Sequence, residues 1–555
     1  MNENIDVPVM AMYDVRGIQE YIFRKNEVKE IIGASRLVNN IISDALEDAA
    51  EKMAGKGSCI FGWKGEDAAK DHEKLRFMDD PEILIQVLFI GGGNAYVLYR
   101  TGELCEKINR EMAKTIMKKT YSLQLATASV KVTEDYLEDY KQISEKMKEI
   151  KTNMPYTSLL GTLPVVQRDA MTGFPIAYKE KEEKYSQESR LKRNCYVTDE
   201  DSEKEFDKLI TQKGDDSTMA IVHMDGNNMG RRIRSIMGMD DSKKRNKKSK
   251  KAKNRGQLDE RDSYTINVEK IRGISETITT SFEETYQSMQ DALNQWIQGD
   301  QTLLKKNGIY LRKIVVAGDD ITFVCNAKIA LSLVEFFCKD ISQKKMKSDA
   351  SSEMDQLDKF GFSVCAGIAY VHSHFPFSTG YEVAEACCAK AKEKAKQSEH
   401  SVKIKNKTRY IGNWVDFQIC KSVHTMDLES KRQKDYQLPD GSYLLKRPYY
   451  IPTLKVDRVI DKKNEQDSFE GFKAIFRFFT GDQDGRSFPR SLAKAFRNTY
   501  PSGEDSMRAL VSFAKSRQWT MLEVYPEPFS DNVASWYDAL EMMDLYVDMI
   551  NGKEE

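Results

Sequence analysis

A chain of 555 residues has material for roughly three to five domains, and 40% hydrophobic with 31% charged residues is the composition of a folded protein rather than a disordered one. Lysine plus arginine (85) nearly balances aspartate plus glutamate (86), so no global field recruits nucleic acid, and no apolar run reaches the ~18 residues of a membrane span. The nine cysteines contain no CxxC pair, and the opening MNENIDVPVM has no basic segment ahead of a long apolar one; reduced thiols in a cytoplasmic protein that meets no membrane are expected.

In chain order, residues 7–13 (VPVMAMY) predict a strand ending at Asp14, and helical spacing runs over 17–54, from Ile18, Tyr21 and Ile22 to Leu37 and Ile41. Residues 83–90 (ILIQVLFI) and 95–99 (AYVLY) predict strands around the turn Gly91-Gly92-Gly93-Asn94. A helix at about 103–118, a strand at 123–130 and a charged helix at about 133–150 complete a β-α-β-β-α-β-α order. Residues 151–215, of mixed charge with few apolar runs, are expected to be an irregular connection.

The second half repeats the first. Strand 218–224 ends at Asp225, and Ile271, Ile274, Ile278, Phe282, Tyr286, Met289, Leu293 and Ile297 mark one helix face. A hairpin at 309–325 (IYLRKIVVAGDDITFVC), a helix at about 328–342, a strand at 361–370 and a helix at about 380–396 follow. Residues 239–263 hold the basic run KKRNKKSKKAKNR and are expected to be disordered, as an insert that binds RNA phosphates or as a solvated loop. From about 426 the pattern changes to loops and helix-like segments at about 467–480, 488–499, 503–517 and 530–550. The expected fold class is α+β: ferredoxin-like palm domains at 1–150 and 216–425, the connection 151–215 between them, and a mostly helical C-terminal domain at 426–555.

Laying one copy on the other puts Asp14 on Asp225 and Gly91-Gly92-Gly93-Asn94 on Ala317-Gly318-Asp319-Asp320. Gly-Asp alone is ordinary turn chemistry. A second strand ending in Asp225 changes that reading, because neighbouring strand ends then present Asp225, Asp319 and Asp320 as hard oxygen ligands suited to Mg²⁺ or Mn²⁺ in a two-metal phosphoryl-transfer site. The first copy keeps the bend and lacks the hairpin acids, so it is expected to be a degenerate partner for substrate binding or scaffolding. Backbone N–H groups of Gly226, Asn227 and Asn228, with the turn residue Gly318, either cradle phosphates or make plain turns. His223, His372 and His374 lie near the site strands without a third ligand at recognisable spacing, which favours local hydrogen bonding over a transition-metal site.

DVRGIQEYIF at 14–23, IIGASRLVNNI at 31–41 and GGGN at 91–94 resemble the first palm of the large polymerase/cyclase-like subunit of type III CRISPR effector complexes. MDGNNMG at 224–230, AGDD at 317–320, SVCAGIAYVHSHFPFSTGYEVAE at 363–385 and AKAK at 389–392 resemble its second palm, which is related to the GGDEF diguanylate cyclases and class III adenylyl cyclases. The resemblance covers most of the chain. It implies ATP as substrate, cyclic oligoadenylate as product, an antiviral role, a phosphate-binding Lys392, and Ser35 reaching a second nucleotide. RNA and small CRISPR-type subunits are the partners it implies.

Three departures accompany it: Ala317 replaces the first hairpin glycine, Asn227 stands where an acid is common, and residues 150–215 hold only Cys195 where many relatives have a four-cysteine zinc site. No zinc is expected. The chain opens on a palm strand and has no His-Asp dipeptide, so no HD nuclease and no DNA cleavage are expected, and a stand-alone relative fits as well as a complex subunit. A GTP-using or mixed cyclase and an RNA-binding scaffold with a silent site are the alternatives.

Overall fold

The structure is a computed structural model that describes residues 7–25, 27–62, 75–91, 93–154, 165–196, 217–237, 260–299, 310–345, 361–397, 401–403, 409–423, 426–453, 467–483, 486–519, 521–522 and 525–549. The chain forms two compact units, one of residues 1–203, 228–282 and 314–319, the other of 204–227, 283–313 and 320–555. No helix among the described residues is long and apolar enough to cross a membrane.

In the first unit the strands Cys59–Ile60, Ile85–Gly91, Asn94–Tyr99, Val9–Arg16 and Gln124–Lys131 lie side by side in that order. Val9–Arg16 is antiparallel to both neighbours, with Asp14 opposite Asn94 on one side and Ala126 on the other. Its flanks explain its composition: Met10 to Tyr13 are buried, as a central strand covered on both faces requires. Setting aside the short Cys59–Ile60, this is the expected ferredoxin-like order.

The helix expected over 17–54 is broken into Ile18–Phe23 and Val28–Ala54. The break has an electrostatic cause. It brings Lys25 to within 2.6 Å of Asp169 and Arg24 to within 2.7 Å of Glu188, both carboxylates being buried. Those acids belong to the segment expected to be irregular, which instead holds the hairpin Ile176–Glu180/Glu183–Ser186 and the helix Gln187–Asn194. Mixed charge there encodes internal pairing, which a search for apolar runs does not register. Gly33 allows the close approach, because a Cβ at that position would fall 1.9 Å from the Lys192 carbonyl oxygen.

The six-stranded sheet runs Tyr449–Ile451, Asn413–Ile419, Val364–His372, Thr218–Gly226, Asp320–Asn326, Leu311–Ala317. Its last four strands reproduce the first palm's order. The helix Glu260–Gly299 buries the expected face from Ile271 to Leu293, with Ile297 half-buried. It starts inside the stretch expected to be disordered, so residues 260–263 correct that expectation; 239–259 lie outside the described residues.

A boundary at 426 cuts across this sheet. Asn413–Ile419 runs parallel to Val364–His372, and Tyr449–Ile451 pairs with its first three residues. Two buried ion-pair groups bind the C-terminal residues to it: Arg432 holds Asp416 through both carboxylate oxygens at 2.8 and 2.9 Å, and Arg447 meets Glu541 at 3.0 Å. The helices Phe469–Thr480, Arg490–Thr499 and Glu504–Ser516 have the expected spacing. Residues 530–550 do not; they contain a short hairpin partner and the five-residue helix Tyr537–Glu541, because Trp536 to Tyr546 bury side chains on all sides rather than along one stripe.

Candidate active site

Strand Thr218–Gly226 is a nearly unbroken apolar run until Asp225, and it ends there because Gly226 and the left-handed Asn228 (φ 62°) turn the chain into helix Met229–Ile236. Asp320 is the first residue of the neighbouring strand and sits directly opposite Asp225. Directly opposed residues share a sheet face, as do residues two apart along a strand. His223, Asp225, Asp320 and Thr322 therefore line one face.

The helix Phe377–Lys396 covers that face. Two glycines seat it: a Cβ on Gly367 would lie 1.9 Å from the Ala384 carbonyl oxygen, and one on Gly380 would lie 2.6 Å from Ile221. Tyr381, Glu385, Cys388 and Lys392 recur at helical spacing along the covering side. The Lys392 ammonium is in contact with Asp225 Oδ2. Burial alone would lower the lysine's pKa, but Asp225 outweighs it and the ammonium is held above its ordinary value. Burial raises the Glu385 carboxyl, and repulsion from Glu382 and Asp225 adds to that.

His223 is buried, with Nδ1 3.2 Å from Thr322 Oγ1 and 3.3 Å from Asp320 Oδ1, and its ring meets Tyr381 edge-on at 5.5 Å. Burial pushes its pKa down to about 4, with Lys392 acting in the same direction and Asp225 against it. The imidazole is neutral at pH 7 and its Nδ1 is hydrogen-bonded to the Thr322 hydroxyl, the local hydrogen bonding expected of it. His372 and His374 lie elsewhere: His372 pairs with Thr218, at the opposite end of the strands from Asp225.

The turn that carries the acids is Gly318-Asp319, with Gly318 at φ 64°. Asp319 is half-buried in the turn, outside the strand ladder. Among the described residues no three His, Cys, Asp or Glu side chains gather closely enough to hold a metal ion. The acids thus form a cross-strand pair, Asp225 and Asp320, with Asp319 beside it in sequence. The donors of that pair are hard carboxylates, the chemistry a divalent cation takes.

Asn227 and Ser35 make hydrogen bonds within the fold. Asn227 is buried; its Nδ2 donates to the Gly412 carbonyl at 2.9 Å and its backbone N–H to the Ser363 carbonyl at 2.8 Å, which ties the ends of two strands to the bend before Asn413. The Ser35 hydroxyl donates to the Ile314 carbonyl.

Tyr381, Thr322 and Glu385 escaped sequence reasoning. The Tyr381-Glu385-Cys388-Lys392 spacing was available as a signal, and so was a fourth correspondence between the palms. Lys151 is the sixteenth residue of helix Tyr136–Asn153 and Lys392 the sixteenth of Phe377–Lys396. Lys151 Nζ lies 2.5 Å from Asp14 Oδ2.

Residues 218–400 match the family model for the second palm domain of Cas10/Cmr2. No curated protein matches the sequence. Among solved structures, a chain of the Csm1–Csm4 cassette in complex with cA4 is similar at 13% identity over 98% of this chain and 70% of that one, with a TM-score of 0.50. A chain of the same cassette in complex with cA3 aligns at 11% identity over 98% and 70%, with a TM-score of 0.49. Strand order, the aspartate pair under a helix lysine, and the family match over the same residues agree: residues 218–400 of this chain form a palm domain like the second palm of Cas10/Cmr2.

Proposed function

We propose that the chain is a nucleotidyltransferase that condenses ATP into a cyclic oligoadenylate at the second palm, with release of pyrophosphate. The observation that carries this reading is the cross-strand pair Asp225–Asp320 on one sheet face beneath Lys392. Asp225, Asp320 and the turn residue Asp319 would hold Mg²⁺ or Mn²⁺. Such ions, when bound, acidify an attacking hydroxyl and neutralise triphosphate charge.

The chain's own groups do the rest. His223, neutral and hydrogen-bonded to Thr322, stands beside Asp320, and Tyr381 packs against the imidazole. Lys392 supplies a protonated ammonium for the triphosphate. Backbone N–H groups after Asn227 and the turn at Gly318 would receive the phosphates. A small CRISPR-type subunit is the partner favoured by the likeness to the Csm1–Csm4 cassette, and RNA is the ligand that would accompany it.

The test is incubation of purified protein with each labelled NTP and Mg²⁺ or Mn²⁺, with products identified by mass spectrometry. Cyclic or linear oligoadenylates from the wild type, and a loss of at least about a hundredfold in Asp319→Ala/Asp320→Ala, are expected. Equal product from both proteins would remove the assignment. Product from GTP would move the base preference and keep the site.

A further inference from the structure

Each palm of this chain pairs its central-strand aspartate with a lysine at the same position of its last helix: Asp14 with Lys151, and Asp225 with Lys392. The first palm has kept this pair although its hairpin carries Asn94 opposite Asp14, where the second palm carries Asp320 opposite Asp225. A lysine retained only to serve a metal-dependent reaction has no task beside Asn94. A lysine retained to neutralise the aspartate has the same task in both places.

We propose that these lysines are counter-ions that exclude a bare divalent cation, permanently at Asp14, and at Asp225 until a triphosphate draws the ammonium away. Charge supports the difference between the palms. Asp14 and Lys151 sum to zero with a neutral Asn94 opposite, so a cation gains nothing there. At the second palm a second carboxylate, Asp320, stands opposite Asp225 in place of the neutral amide. Ammonium and metal repel each other across one carboxylate, so the metal binds weakly until the ammonium turns to phosphate oxygens. Metal and nucleotide then load together. The second half of this proposal rests on the nucleotide-binding reading of the site; the exclusion of bare metal does not.

Mn²⁺ titration of the full-length, metal-stripped protein, read from the EPR signal of free Mn²⁺, tests it without turnover. Lys392→Met is expected to bind Mn²⁺ alone at least about tenfold more tightly than the wild type, and a non-hydrolysable ATP analogue should close most of that gap by raising wild-type affinity. Asn94→Asp should gain no site, whereas Asn94→Asp/Lys151→Met should gain one. Lys392→Gln, which removes the charge with less change in polarity, is measured beside Lys392→Met, and metal-free thermal unfolding shows that each variant is folded. Unchanged or weaker Mn²⁺ binding in folded Lys392→Met and Lys392→Gln would overturn the proposal. A chain that makes no product from any NTP yet shows the gain keeps this inference and loses the proposed function, and the converse result separates them the other way.

Discussion

His223 is an imidazole whose charge state the fold decides. Its ordinary pKa of 6.5 falls to about 4 because burial disfavours the cation. Between those values the unfolded chain binds a proton that the folded chain refuses, so stability falls as pH drops from about 6.5 to about 4 and levels off below. The loss is about 3 kcal/mol at most, and His223→Gln should remove that part of the slope; urea unfolding of the metal-free protein from pH 7 to pH 4 measures it. The sequence showed His223 next to the site without showing what it does. The placement of Asp225 opposite Asp320 was legible because they sit at a strand end and a hairpin that repeat, whereas Lys392 was named through the family resemblance alone. The contact of the Asn227 amide with the Gly412 carbonyl was not legible, because its partner lies 185 residues away.

Gly367 decides how closely an element can sit. Helix Phe377–Lys396 rests on the strand where that residue lacks a side chain, and a Cβ would collide with backbone atoms of Ala384 and Cys388 rather than with movable side chains. Gly367→Ala should cost about 1–3 kcal/mol and lift the helix, so that Lys392 loses Asp225 and product formation falls with stability. Urea midpoints beside NTP turnover measure both. Ala substituted at exposed Gly273, which has open space around it, should show neither effect. The helix itself was legible from its spacing, but its seat was not, since glycine within an apolar strand is also compatible with a bulge or plain weakness. The broken helix near Lys25 escaped for a related reason. Charge pairs with Asp169 and Glu188 overrode a continuous apolar stripe, and those partners lie more than a hundred residues away.

Across the whole chain, duplication was the most legible feature and the end of the second palm the least. Strands Asn413–Ile419 and Tyr449–Ile451 are set among polar residues and short loops, so they lack the flanking signals that marked the repeated strands. Asp416 is fully buried and both its oxygens accept from Arg432, with the Phe417 N–H also donating to Oδ1. Asp416→Ala should cost about 3–5 kcal/mol by stranding that guanidinium, and a chain ended at residue 425 should be less stable still; urea midpoints of the two against the full chain check the order. The parallel strand has a consequence during synthesis. Strand Val364–His372, apolar on both faces, is complete on the ribosome well before Asn413–Ile419 emerges to cover its edge, and the buried Asp416 waits longer for Arg432. At roughly 5–20 residues per second the edge stays open for several seconds, a window in which a nascent second palm depends on chaperones or on slow encounter with other chains.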